Sequence, residues 1–134
     1  MNIIEIAVVL FVTLIVIYYL FITLSSWRQR GRLLSDITGA SAGDQPDWQA
    51  YYFYSPTCGA CRAMTPSIEA QALENSAVYC IDVSAEMELA RQFNVRATPT
   101  AVLIEDGKIS KVLLGSGLMK QLNQFIEEHE HDEN

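Results

Sequence analysis

The sequence predicts an α/β domain built on a mixed sheet of about four strands flanked by helices, preceded by one apolar N-terminal helix. Three observations carry that expectation. Residues 6–24 contain no charged side chain. Beyond residue 48, short β-branched and aromatic runs alternate with stretches whose apolar residues recur at helical spacing. Asp106-Gly107 stands between two apolar runs, one of the strongest short-range signals for a β-hairpin. Strands joined through a helix run parallel and a hairpin runs antiparallel, so the sheet must be mixed.

The first element reads IAVVLFVTLIVIYYLFITL, nineteen residues whose only strongly polar members are two threonines. At about 1.5 Å per residue it spans roughly 28 Å, the thickness of a bilayer's hydrocarbon core. Tyr18, Tyr19 and Trp27 suit one membrane interface. A cleaved signal peptide is the rival reading, but it wants a basic start and a shorter apolar stretch. Here Met-Asn-Ile-Ile-Glu precedes the core, and the small-residue run Ala40-Ser41-Ala42 lies far beyond it. An uncleaved anchor is therefore expected.

Arg28, Arg30 and Arg32 follow the span and no basic residue precedes it. The positive-inside rule then puts the following domain in the cytoplasm. The expectation is a single-pass protein of a bacterial inner membrane, held through residues 6–24, with the periplasmic side as the alternative. Three cysteines leave one unpaired if two bond, which suits a reducing compartment. The divisions expected are an anchor (1–27), a basic juxtamembrane segment and linker (28–47), the α/β domain (48–128) and an acidic tail (129–134).

The linker carries Gly31 and DITGASAGDQPD and shows little periodicity. AYYFY, ended by Ser55-Pro56, has the size and composition of a buried strand. A helix is expected from Cys58 to about Glu74, with Ala60, Met64, Ile68 and Ala72 inward and Pro66 bending it near Arg62. AVYCIDV, residues 77–83, reads as the second strand. Ser84 then offers an N-cap, Glu86 and Glu88 suit the positive end of the helix dipole, and Ala85, Leu89 and Phe93 form an apolar stripe. Residues 100–105 and 108–114 make the hairpin. A closing helix capped near Ser116 turns Leu118, Leu122, Phe125 and Ile126 inward.

From Asp44 onward six Lys/Arg face fourteen Asp/Glu, so no nucleic-acid partner is expected. EEHEHDEN reads as a frayed helix end or solvated tail, with His129 and His131 too weak a pair for a metal site.

The chemistry resides in Cys58 and Cys61, which could form a redox centre, half of a metal site, or two buried thiols. A cysteine at the mouth of a helix sits beside unpaired backbone N–H groups and the positive end of the dipole, and both stabilise a thiolate. Cys61 lies within one helical turn, close enough for a disulfide. Between them, Gly59 relaxes the turn and Ala60 adds no charge; without a His there, the pair is expected to be reducing rather than strongly oxidising. A structural zinc site generally needs four ligands, and this chain offers one pair, a lone strand cysteine and two tail histidines.

FYSPTCGAC after a strand, Pro66 shortly past the second cysteine, VRATPT, the Asp-Gly hairpin and Gly115 before the last helix together resemble the thioredoxin family, over roughly residues 48–128. The resemblance implies a thiol–disulfide oxidoreductase acting on protein disulfides, with an unidentified electron donor or acceptor and no cofactor. It implies Cys58 as nucleophile, Cys61 as resolving thiol, a redox-active Cys58–Cys61 disulfide, and Pro99 as a cis proline facing the pair. The backbone of Thr98 would then pair with an extended substrate segment.

The sequence also departs from the pattern. Tyr52 stands where the family has a buried acid, and a phenol of pKa about 10 is a poor base near pH 7. Thr57 replaces the usual Trp, and Gly59-Ala60 the usual Gly-Pro. The family's additional N-terminal strand and helix are not expected, because the linker is short and polar. Cys80 is expected to be a small buried hydrophobe. Two rival functions stay open: a membrane-tethered binding or assembly module without redox turnover, and an extracytoplasmic exchange protein.

Overall fold

A computed structural model of the chain describes residues 2–27, 34, 37 and 46–132. The chain divides into two compact units, Met1–Arg30 and Gly31–Asn134. In the first, α1 (Ile3–Trp27) is an uninterrupted helix. The Thr13 hydroxyl sits within 2.8 Å of the Val9 carbonyl oxygen and 2.9 Å of that of Leu10, so this polar atom is satisfied inside its own helix. By length and composition Ile3–Leu20 can cross a membrane, a property shared with signal sequences.

The second unit runs β1 (Trp48–Tyr54), α2 (Gly59–Glu74), β2 (Val78–Asp82), α3 (Met87–Gln92), β3 (Thr100–Glu105), β4 (Lys108–Leu114), a 3-10 turn over Gly115–Gly117, and α4 (Leu118–Asp132). The sheet order is β2-β1-β3-β4, with β1 parallel to β2, antiparallel to β3, and β3 antiparallel to β4. At the hairpin, Asp106 and Gly107 take φ of 51° and 72°, the left-handed pair that matches the twist of the flanking strands.

Side-chain alternation divides the interior into two layers. Trp48, Ala50 and Tyr52 of β1 join Ala101 and Leu103 of β3 against Ile68 of α2 and Leu118, Leu122, Phe125 and Ile126 of α4. On the opposite face, Phe53, Ile81, Val102 and Ile104 pack with Ala90 and Phe93. Ile109 and Leu113 of β4 share the same parity yet lie in different layers. The cause is a bulge: Leu103 is opposite Lys111 and Ile104 opposite Ile109, so Ser110 is the extra residue and the pleat reverses phase across it.

The local structure differs from expectation in several places. Ser84 does not cap α3. Its backbone N–H and hydroxyl both donate to the Asp82 carboxylate, at 2.9 and 2.6 Å, and this turn delays the helix to Met87, with Glu86 at the cap. Ala85 consequently faces solvent, and Ala90 with Phe93 supplies the inward face. Ala60, expected inward, is exposed in the first turn of α2. α2 continues through Pro66 to Glu74, in agreement with the expected extent of this helix.

α4 runs past the expected tail boundary, and His129 packs against Trp48 and Phe125 with Nε2 3.2 Å from Glu105 Oε1. Leu34 and Ile37, within the segment read as a linker, have helical backbone and are 1% and 4% exposed in the second layer. The Leu34 N–H donates to the Gly107 carbonyl at 2.7 Å, which ties Leu34 to the hairpin.

Candidate active site

β1 ends at Tyr54, and Ser55-Pro56-Thr57 turns the chain into α2. The Cys58 N–H donates to the Ser55 carbonyl at 3.1 Å, and the Thr57 hydroxyl lies 3.0 Å from that of Ser55. These bonds hold Cys58 in extended conformation at the N-cap of α2. Its sulfur accepts the Cys61 N–H at 3.2 Å, one of the donors a helix start leaves unpaired. The same interaction would favour a thiolate on Cys58.

The sulfurs of Cys58 and Cys61 are in disulfide contact, with Cα atoms 5.3 Å apart. Cys58 is half-buried and Cys61 buried, so the first sulfur is the one a substrate can reach. Gly59 and Ala60 between them are exposed, as is Thr57. Opposite stands the loop after α3. The Thr98–Pro99 peptide bond is cis, and the Thr98 carbonyl oxygen lies 3.5 Å from Cys58 Sγ.

Tyr52 is wholly buried beneath the pair. Its hydroxyl lies 3.1 Å from that of Thr65, which in turn donates to the Cys61 carbonyl at 2.8 Å. Burial pushes the Tyr52 phenol above its ordinary value, the Thr65 bond opposes this, and the charges of Cys80 and Glu69 raise it further. It therefore holds its proton at neutral pH. Sequence reading missed Thr65 and Ser55; the i+4 spacing of Thr65 from Cys61 was the available signal.

Cys80 is directly opposite Tyr52 on β2 and is half-buried rather than fully enclosed. Desolvation, then the nearby Glu69, pushes its thiol up to about 11. Among the described residues, no three His, Cys, Asp or Glu side chains are grouped so as to hold a metal ion.

Fold and dithiol together define an α/β domain with a Cys-x-x-Cys pair at the mouth of a helix, facing a cis proline. The family profile described as Thioredoxin matches residues 49–128, more than half of the sequence, and the chain belongs to the thioredoxin family. It is 34% identical over 80 residues to a thioredoxin of Chlamydia muridarum, covering 58% of this chain and 78% of that one. To Protein disulfide isomerase-like 1-3 of Arabidopsis thaliana it is 39% identical over 66 residues, 47% of this chain and 11% of the other. The chain spans less than half the length of several curated relatives that it matches. A mutant thioredoxin from Halobacterium salinarum superposes with a TM-score of 0.52 at 34% identity, over 61% of this chain and 74% of that one.

Proposed function

We propose that the protein is a protein-disulfide reductase tethered to a membrane by α1. The observation that carries this reading is the N-cap position of Cys58, its sulfur beside both the Cys61 N–H and the Thr98 carbonyl. In the reduced protein, the Cys58 thiolate attacks one sulfur of a substrate disulfide, forming a mixed disulfide and releasing a substrate thiolate that takes up a proton. Cys61 then loses its proton and attacks the Cys58 sulfur. The Cys58–Cys61 disulfide forms and the second substrate thiol leaves. Two electrons have passed to the substrate, and an external dithiol or equivalent donor returns the pair to the reduced state.

The backbone of Thr98, held beside Cys58 by the bend at Pro99, suits an extended substrate segment paired in β fashion. Gly59, Ala60 and Thr57 form the exposed rim over which it passes. Cys61 has no carboxylate at the Tyr52 position to take its proton, so its deprotonation is slow or passes through water. The domain is assigned to the cytoplasmic side on the three arginines after α1.

Insulin reduction with dithiothreitol as donor tests the redox role. Wild type should turn over, Cys58→Ser should not, and Cys61→Ser should accumulate a mixed disulfide. Activity in the wild type no greater than in Cys58→Ser would favour the second reading, a tethered binding module, which the absence of an acid at Tyr52 supports. Membrane side is tested separately: after mild reduction of intact cells, a membrane-impermeant maleimide should label Cys58 only once the cells are permeabilised.

A further inference from the structure

Beside the dithiol lies a groove of about 420 Å³ that the redox steps do not use. It shares two walls with the reactive centre, Ser55 and Thr98, both of which contact Cys58. Its apolar lining comes from Val83, Met87, Ala90 and Val95. Arg91 and Arg96 flank it, in a region where fourteen acidic residues outnumber six basic ones. Two of those six cations thus stand at one groove next to the reactive sulfur. Both are exposed. Among the described residues, Arg91 pairs with Glu88, at 3.9 Å on the surface, a weak pair. Arg96 gives its Nε–H to Asn94 at 3.2 Å, and among the described residues its four terminal guanidinium N–H groups are open to a ligand.

Arg96 stands two residues from Thr98, a chain distance of at most about 7 Å, and in an extended segment a side chain two positions from the attacked cysteine is also about 7 Å away. We propose that this groove selects disulfides whose cysteine is followed or preceded, two residues away, by a carboxylate side chain. The carboxylate meets Arg96 and Arg91, and its own methylene stem rests on Val95 and Met87. This rests on the reductase reading and its pairing at Thr98, and it adds the class of substrate.

The test uses the full chain in nonionic detergent and two disulfide-linked peptides, identical except for Glu or Lys two residues from the cysteine, on each side in turn. Wild type should favour the Glu peptide about fivefold in kcat/KM, falling toward parity in about 0.5 M salt. The double charge reversal Arg91→Glu and Arg96→Glu should invert the preference. Equal rates in wild type, a preference indifferent to salt, or one that survives charge reversal overturns the groove proposal alone. Failure to reduce either peptide and insulin overturns the reductase reading, and this one with it.

Discussion

Tyr52 occupies the most informative position in the site, because it stands where a proton acceptor is expected and is held protonated by burial and neighbouring negative charge. Its hydroxyl makes one described bond, to Thr65, which keeps its own bond to Cys61 if the phenol is removed. Tyr52→Phe should therefore lower the unfolding free energy by about 1 kcal/mol, read from urea denaturation. A loss above about 3 kcal/mol would mean that the hydroxyl carries more than this bond. Cys80, with its thiol pushed up to about 11, should resist alkylation in the native reduced protein near neutral pH, whereas Cys58 should react first. Peptide mapping after brief iodoacetamide treatment checks this; modification of Cys80 ahead of Cys58 would contradict it.

Tyr51 gives a pH-dependent counterpart. Burial, then the stacked Tyr79, raises its phenol from 10.0 to about 12. The native state keeps the proton that the unfolded chain releases, so this contribution to stability is complete below pH 10 and is lost as the pH rises through about 12. Denaturation at about pH 8 and about pH 11 should show a smaller alkaline loss in Tyr51→Phe than in wild type. Equal losses would show that Tyr51 does not govern the alkaline limb.

Among the elements, the β3–β4 hairpin shows how local and non-local signals divide the work. Asp106-Gly107 specified the turn, and the observed φ values are those the dipeptide favours. A Cβ at Gly107 would meet nothing within 4 Å, so Gly107→Ala carries only the backbone penalty of φ 72°. That predicts a loss of about 1 kcal/mol without rearrangement, measurable as a lower denaturant midpoint at unchanged slope. The bulge at Ser110 was not legible. KISKVLL breaks alternation at Ser110-Lys111, but a break of this kind does not by itself distinguish a bulge from an exposed edge, and the need to fill two opposed layers from one strand is what reverses the pleat between Ile109 and Leu113. Helix α3 shows a similar limit: Ser84 is a good cap by type, but its N–H and hydroxyl both donate to Asp82, and this turn holds it ahead of the helix start.

For the molecule as a whole, the sheet is covered on both faces, and part of the covering comes from outside the region matched to the family. Leu34 and Ile37 precede residue 49, where that match begins, yet both are buried against Phe53, Val102 and Ile104. Leu34→Ala should cost about 2–5 kcal/mol, a large share of the stability of a domain this size. A chain beginning at residue 46 should unfold at markedly lower denaturant than one beginning at residue 31; equal midpoints would mean that neither residue supports the second layer.

Much was decided by the sequence alone. The apolar N-terminal helix, the β-α-β-α-β-β-α order, the hairpin and the dithiol at a helix mouth all rest on short-range periodicity, turn chemistry and spacing, which are written into neighbouring residues. Tertiary structure decided what depends on partners distant in the chain. It brought the Thr98 carbonyl to Cys58 across forty residues, set Thr65 between Tyr52 and Cys61, and aligned Cys80 with Tyr52. It also recruited Leu34, Ile37 and His129 from segments that looked solvated. The physical reason is burial: a polar, aperiodic stretch has no pattern of its own, and one or two apolar residues in it become core only when a sheet face is there to receive them.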